Sequence, residues 1–379
     1  MGIPMIGIIG MGTSGGKEDR LPQEALQLAE QVGEAIARKG GMTLSGGEKG
    51  VMNAVSKGAR QVGGLVVGVS PRLDRLEASP YLDVSITTGL GTVRNLLNVR
   101  APDTVVMVNG GYGTLNELLL AYQEGKPCVV FEGSGNWADR VRSILVDGEY
   151  LDERHKVKTY FAHTPDEVVE MAIELSGEPK PAPPRLIPPE NPTQQRPHIG
   201  VLTPGERKPN PAVSQKTLDA AEQVGREIAR RDGITINDGG GSAQEANSRG
   251  AHQTGGLTVG ILQTMYKSDA NPYVDVPIRT GLGEASYALV VRATDAQIVV
   301  GGDSTTLNQL CLSYYHRRPA VVVENSGGLA NRLRSMLYDG KYLDWRRQVE
   351  IRFAPSPAEA VELAFELGEA NLHAGKQYA

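Results

Sequence analysis

The chain is written twice. Set against itself at an offset of 192 residues, so that Thr88 meets Thr280, it gives a long match without gaps. LAEQVGEAIARKGGMTL (28–44) meets AAEQVGREIARRDGITI (220–236), and TLNE (114–117) meets TLNQ (306–309). DGEYLDERHKV (147–157) meets DGKYLDWRRQV (339–349). A period this long is not that of a solenoid and marks duplication of a whole domain. Whatever fold one half takes, the other must also take. The stretch between the copies, 177–197, is dense in proline and is expected to run extended, outside either core. Domain one is expected over 1–176, a linker over 177–196 and domain two over 197–379.

Within each copy, short apolar runs alternate with amphipathic ones. In the first copy strands are expected over 5–9, 42–44, 65–69, 84–87, 104–108 and 128–131. A helix begins at Pro22 and buries Ala25, Leu28, Ala29, Val32, Ala35 and Ile36. A helix over 51–62 is weakened by Ser56 and Gly58, and another over 165–175 closes the domain. Near-uniform apolar strands with helical crossovers argue for an α/β fold. Each domain is expected to be a Rossmann-like, doubly wound, mostly parallel sheet with helices on both faces.

Bulk properties narrow the partners. Hydrophobic residues make up 40% and charged residues 22%, at a formal net charge of -5. With no long basic run, no nucleic-acid partner is expected. No apolar run approaches about 18 residues, so no membrane partner is expected and the cytoplasm is the default location. The apolar start, 1–11, is short and lacks a basic head, which suits a first strand better than a signal peptide. Cys128 and Cys311 both sit in or beside apolar runs and are expected to be small core residues. The six histidines show no ligand-like spacing, His198 reads as structural, and no metal is expected.

Such sheets bind ligands beyond the carboxyl ends of their strands. Three glycine-rich turns fall there in copy one: GMGTSGG (10–16), SGGEKG (45–50) and NGGYG (109–113). The first lacks the acidic residue that completes a dinucleotide fingerprint, and none is a Walker loop. The turn Gly110, Gly111, Tyr112, Gly113, Thr114 lets backbone approach a ligand, and the helix after it offers unpaired N–H groups that favour a phosphate. Thr114 adds a hydroxyl. Glu117, one helical turn on, points back toward the pocket, where a carboxylate would stabilise positive charge building on a sugar ring. Arg94 would neutralise phosphate or assist a departing base. Gly10, Gly12, Thr13, Ser14, Gly46 and Gly47 would shape the ribose and base side. Arg100 is a further phosphate candidate or a structural partner of Asp103. Glu117 also has a bland reading, as an acid favoured in a first helical turn.

On these residues copy one resembles the LOG family, over about residues 5–175. The family's hallmark is proline-glycine-glycine-x-glycine-threonine-x-x-glutamate. Here it runs from Asn109 to Glu117, with Asn109 in place of the proline. Arg94 matches the arginine of a family arginine-lysine pair, with Asn95 in place of the lysine, and Arg100 matches a second arginine. GGEKGVMNAVSKGA (46–59) looks like the family's other glycine segment. The resemblance implies a phosphoribohydrolase that releases free base from nucleoside 5'-monophosphates, with Glu117 and Arg94 catalytic. The two departures look more like a branch that includes molybdenum-cofactor carrier proteins, which bind without hydrolysis. No cofactor is required on either view; the ligand is a nucleoside monophosphate or another phosphorylated small molecule, such as a molybdopterin-type compound. A nucleotide-sensing scaffold is a third reading.

Copy two has lost most of these markers. Ser286 replaces Arg94, Tyr287 replaces Asn95, Asp303 replaces Gly111, Thr305 replaces Gly113 and Gln309 replaces Glu117. Asp303 is expected to repel a phosphate. Members of the family form two-fold dimers, so the duplicated chain is expected to act as a covalent pseudo-dimer. Further pairing into a homodimer stays open.

Overall fold

Two copies of one topology make up the computed structural model, which describes residues 3–12, 21–178, 189–205 and 213–374. They form two units, residues 1–195 and 196–379. Residues 179–188 of the proline-rich stretch lie outside the described residues.

Unit one runs β1 (Met5–Gly10), α1 (Gln23–Arg38), β2 (Met42–Ser45), α2 (Val51–Gln61), β3 (Val66–Ser70), β4 (Val84–Thr87), α3 (Asn95–Arg100), β5 (Thr104–Val108), α4 (Tyr112–Gln123), β6 (Cys128–Phe131), β7 (Thr159–Ala162) and α5 (Pro165–Leu175). Its sheet has the order β4-β3-β2-β1-β5-β6-β7. Every pairing is parallel. This is the expected doubly wound α/β architecture. Alternation along β5 shows how the two faces are filled. Val106 and Val108 pack with α1, α2 and α5, whereas Val105 and Met107 pack against Val99 of α3 and Leu118 of α4. The strand order reverses between β1 and β5, and there Gly10 stands beside Val108. That is the crevice where open α/β sheets take ligands.

Unit two repeats the pattern. It runs β8 (His198–Leu202), α6 (Gln215–Arg230), β9 (Ile234–Asn237), α7 (Ser242–Gln253), β10 (Leu257–Leu262), β11 (Val276–Arg279), α8 (Tyr287–Arg292), β12 (Ala296–Val299), α9 (Ser304–Tyr315), β13 (Ala320–Val323), α10 (Leu333–Met336), β14 (Ile351–Ala354) and α11 (Pro357–Ala374). Its order is β11-β10-β9-β8-β12-β13-β14, also with parallel pairings. His198 is buried at the start of β8, with its Nδ1 3.1 Å from the carbonyl oxygen of Ala293. Cys128 is buried in β6, but Cys311 is exposed on α9, so the expectation of two core cysteines is corrected for the second.

Gly58, which weakens α2 by propensity, has a packing reason. A Cβ there would fall on the carbonyl oxygen of Glu30 in α1, and one on Gly33 would fall on that of Val55 in α2. Gly225 and Gly250 repeat the crossing in unit two, against Asn247 and Glu222. Two helix backbones touch, and neither can give way as a side chain would. Gly58→Ala should therefore destabilise unit one by about 3 kcal/mol, the upper end for overpacking, although alanine favours an isolated helix by about 1 kcal/mol. Urea unfolding checks the sign.

Candidate functional site

The ends of β2, β1 and β5 carry the glycine turns side by side. Residues 13–20 lie outside the described residues, and with them Thr13 and Ser14. Gly10 and Gly12 are packed from behind: Cβ atoms there would meet Val51 and Met52 respectively. Gly46 makes room for Arg94, since its Cβ would lie 2.7 Å from the Arg94 Nη2. Gly47 has φ of +66°, a backbone conformation that glycine adopts without strain.

The turn after β5 is held by its own loop. Asn109 has φ of +59°, which proline's ring excludes. Its amide donates to Ser134 Oγ at 2.7 Å, its Nδ2 donates to the Ser134 carbonyl at 2.7 Å, and its Oδ1 accepts from Gly110 N at 2.7 Å. The Asn109 substitution thus goes with a left-handed turn residue, and Gly301 takes the same conformation in unit two, with φ of +64°.

α4 starts directly after Gly111, whose extended backbone precedes a helix end with no side-chain cap. Among the described residues, a Cβ on Gly111 would meet only Met11 Cε, at 3.4 Å, and one on Gly113 would meet nothing within 4 Å. Thr114 is buried, and Tyr112 is 91% exposed.

Arg94 and Glu117 are brought together. Arg94 Nη1 donates to Glu117 Oε1 at 3.2 Å and to Asn95 Oδ1 at 2.7 Å, and its Nη2 donates to Glu48 Oε2 at 3.1 Å. Asn98 Nδ2 gives Glu117 Oε1 a second bond, 3.0 Å long. Both members of the pair are buried, at 5% and 6% exposure. Burial pushes the Glu117 carboxyl above its ordinary range, against the opposing pull of Arg94 and the bond from Asn98. Glu48 and Asn98 were not legible as partners in the sequence; Asn98 stands four residues after Arg94, and that spacing was the available signal. Arg100 stands apart from this group. Its Nη2 pairs with Glu124 Oε1 at 3.0 Å, beyond the far end of α4, while Asp103 Oδ2 accepts from Met5 N. A 12-residue helix is about 18 Å long, so Arg100 is remote from the glycine turn.

In unit two the matching helix start is closed by the chain itself. Asp303 Oδ1 accepts from the amides of Thr305 and Thr306, at 2.9 and 3.1 Å, and Oδ2 accepts from Gly205 N at 3.1 Å. The expectation of simple repulsion is refined: the carboxylate occupies the place where an anion would dock. Among the described residues, no group of three or more His, Cys, Asp or Glu side chains is arranged to hold a metal ion. None of the helices searched there is long and apolar enough to cross a membrane.

Parallel sheets with glycine turns at the switch point define a tandem Rossmann-like protein. The chain belongs to the SLOG cluster4 family, whose model matches it twice, over residues 3–169 and 196–359. An uncharacterised protein of Archaeoglobus fulgidus is 40% identical over 139 residues, covering 35% of this chain and 87% of that one. The cytokinin riboside 5'-monophosphate phosphoribohydrolase of Mycobacterium tuberculosis is 35% identical over 131 residues, covering 32% of this chain and 70% of the enzyme. Among solved structures, the molybdenum cofactor binding protein of Rippkaea orientalis aligns with a TM-score of 0.38 and 28% identity, over 45% of this chain and 97% of that one.

Proposed function

We propose that unit one is a binding module for a phosphorylated small molecule, a nucleoside 5'-monophosphate or a phosphorylated cofactor, that holds its ligand without cleaving it. The observation that carries this reading is the contrast at one position: an uncapped helix start behind Gly111, against the same start filled by Asp303. The phosphate sits on the first amides of α4, where the helix dipole favours negative charge. The relationship to a phosphoribohydrolase supports a ligand built on a phosphorylated ribose.

Cleavage asks more of Glu117 than its setting offers. An oxocarbenium-like sugar is stabilised by a charged carboxylate. Glu117 is buried, bonded to Arg94 and Asn98, and pushed toward its neutral form. Arg94 is itself paired with Glu48 Oε2 at 3.1 Å, which offsets its charge whichever form Glu117 takes. Hydrolysis stays the second reading, because the glutamate lies next to the turn that would hold the nucleotide.

One experiment separates them. The full chain is incubated with a panel of nucleoside monophosphates, and binding and free base are both measured. The expected result is salt-sensitive binding with no base above the blank, and binding that survives Glu117→Gln. Base release that disappears in Glu117→Gln would make the protein a hydrolase instead.

A further inference from the structure

The loop after β6 is tied down by a side chain in unit one, and the matching loop after β13 by a different one in unit two. In unit one the tie is Asn109. Its Nδ2 donates to the Ser134 carbonyl at 2.7 Å, and Gly135, whose Cβ would lie 2.9 Å from that nitrogen, leaves room for it. In unit two the matching carbonyl, that of Ser326, accepts instead from Thr217 Oγ1 at 2.7 Å. Thr217 stands in the first turn of α6 where α1 has Ala25, and position 109 has become Gly301. A Cβ on Gly301 would lie 2.5 Å from Thr217 Cγ2, so the space does not hold both side chains. Asn109 with Ala25, and Gly301 with Thr217, are therefore alternative fillings of one buried space.

The backbone frame is common to both units. Asn109 N and Gly301 N donate to Ser134 Oγ and Ser326 Oγ, at 2.7 and 2.8 Å. The carbonyls of Gly110 and Gly302 accept from Trp137 N and Leu329 N, at 3.2 and 2.8 Å. The asparagine does one thing more. Its Oδ1 accepts from Gly110 N at 2.7 Å and from Asn136 Nδ2 at 2.8 Å. It thus holds the peptide that leads into Gly111, in the unit whose α4 start has no side-chain cap. In unit two Thr217 gives the loop its bond, but Gly301 has no side chain to hold the amide that follows, and Asn136 has become Gly328.

We infer that Asn109 is a positioning residue for the ligand of unit one, fixing the Gly110–Gly111 peptide so that the first amides of α4 meet a phosphate already aligned. The inference rests on the phosphate site proposed above. Two successive glycines have wide backbone freedom, and freedom that a ligand must remove weakens its binding. The buried asparagine removes it beforehand, through bonds on both sides of its amide group. Its tie to the loop is replaceable, as Thr217 shows, whereas its hold on Gly110 has no counterpart in a threonine at that place.

The test is a cycle of full-chain variants: Asn109→Gly, Ala25→Thr and the two together. Each is measured for adenosine monophosphate affinity by calorimetry and for stability by urea unfolding. Each single change should lower the unfolding midpoint, the first by loss of the tie and the second by crowding, and the double variant should recover it. Affinity should not recover. Asn109→Gly and the double variant should both bind at least tenfold more weakly than the parent, about 1.4 kcal/mol. Parent-like affinity in the double variant would make Asn109 a structural tie alone and overturn the inference. Absence of binding by the parent would instead sink the phosphate reading beneath it, and the inference with that reading.

Discussion

Arg94→Ser alone should destabilise unit one by about 3–5 kcal/mol, because it strands a buried carboxylate. The double variant Arg94→Ser with Glu117→Gln should recover all but about 1–2 kcal/mol, the remainder being the volume lost with the arginine. The pair of residues in the double variant is the one unit two already carries at Ser286 and Gln309. Gly46 has no side chain and lies against the guanidinium, whereas Asp238 replaces it where the arginine has become a serine. Chemical unfolding of the parent, Arg94→Ser, Glu117→Gln and the double variant measures the coupling. A loss in the double variant equal to the sum of the two single losses would mean that the two side chains act independently.

The same carboxylate sets a pH dependence. The folded-state value of Glu117 is raised above its ordinary 4.5 by burial. Over the window between these values the native chain holds a proton that the unfolded chain has lost. The contribution is therefore fully present below the ordinary value and is lost as pH rises through the folded one. The slope is at most about 1.4 kcal/mol per pH unit for one group. Removing Arg94 takes away the attraction that opposes this shift, so the single variant should be hurt less at pH 5 than at pH 8. Glu117→Gln should remove the slope.

The sheet was legible because strands buried on both faces read as unbroken apolar runs, and 84–87, 104–108 and 128–131 match β4, β5 and β6. β7 was not, since it pairs only with β6, has two half-buried residues in its centre and comes shortly after the polar run 152–156. Gly58 looked like a flaw in α2 because propensity is local, while the helix that needs the space is α1. The joint loss of Arg94 and Glu117 in the second copy pointed to a shared role, and the 3.2 Å contact between them is a physical reason for it. Glu48 stayed hidden because it reaches Arg94 from a turn 46 residues away, a distance no periodicity reports.

Gly111→Asp should close the first site as the chain closes the second. Gly111 has φ of -98°, open to any residue, and among the described residues its Cβ would meet only a methionine methyl. As an N-cap in place of glycine, the new carboxylate should stabilise α4 by only a few tenths of a kcal/mol. It should also take the amides a phosphate needs and repel the phosphate itself. Two unit charges 4 Å apart in a partly exposed site cost up to about 4 kcal/mol, so nucleotide affinity should fall between about 30-fold and 1000-fold. Stability and binding then move in opposite directions, which no general damage to the fold can imitate. The converse change, Asp303→Gly, should cost unit two its cap without granting it a nucleotide, because Ser286 and Gln309 still stand where unit one has Arg94 and Glu117. Calorimetry with adenosine monophosphate on the parent and both variants reads all of this. Undiminished binding by Gly111→Asp would place the phosphate away from the start of α4.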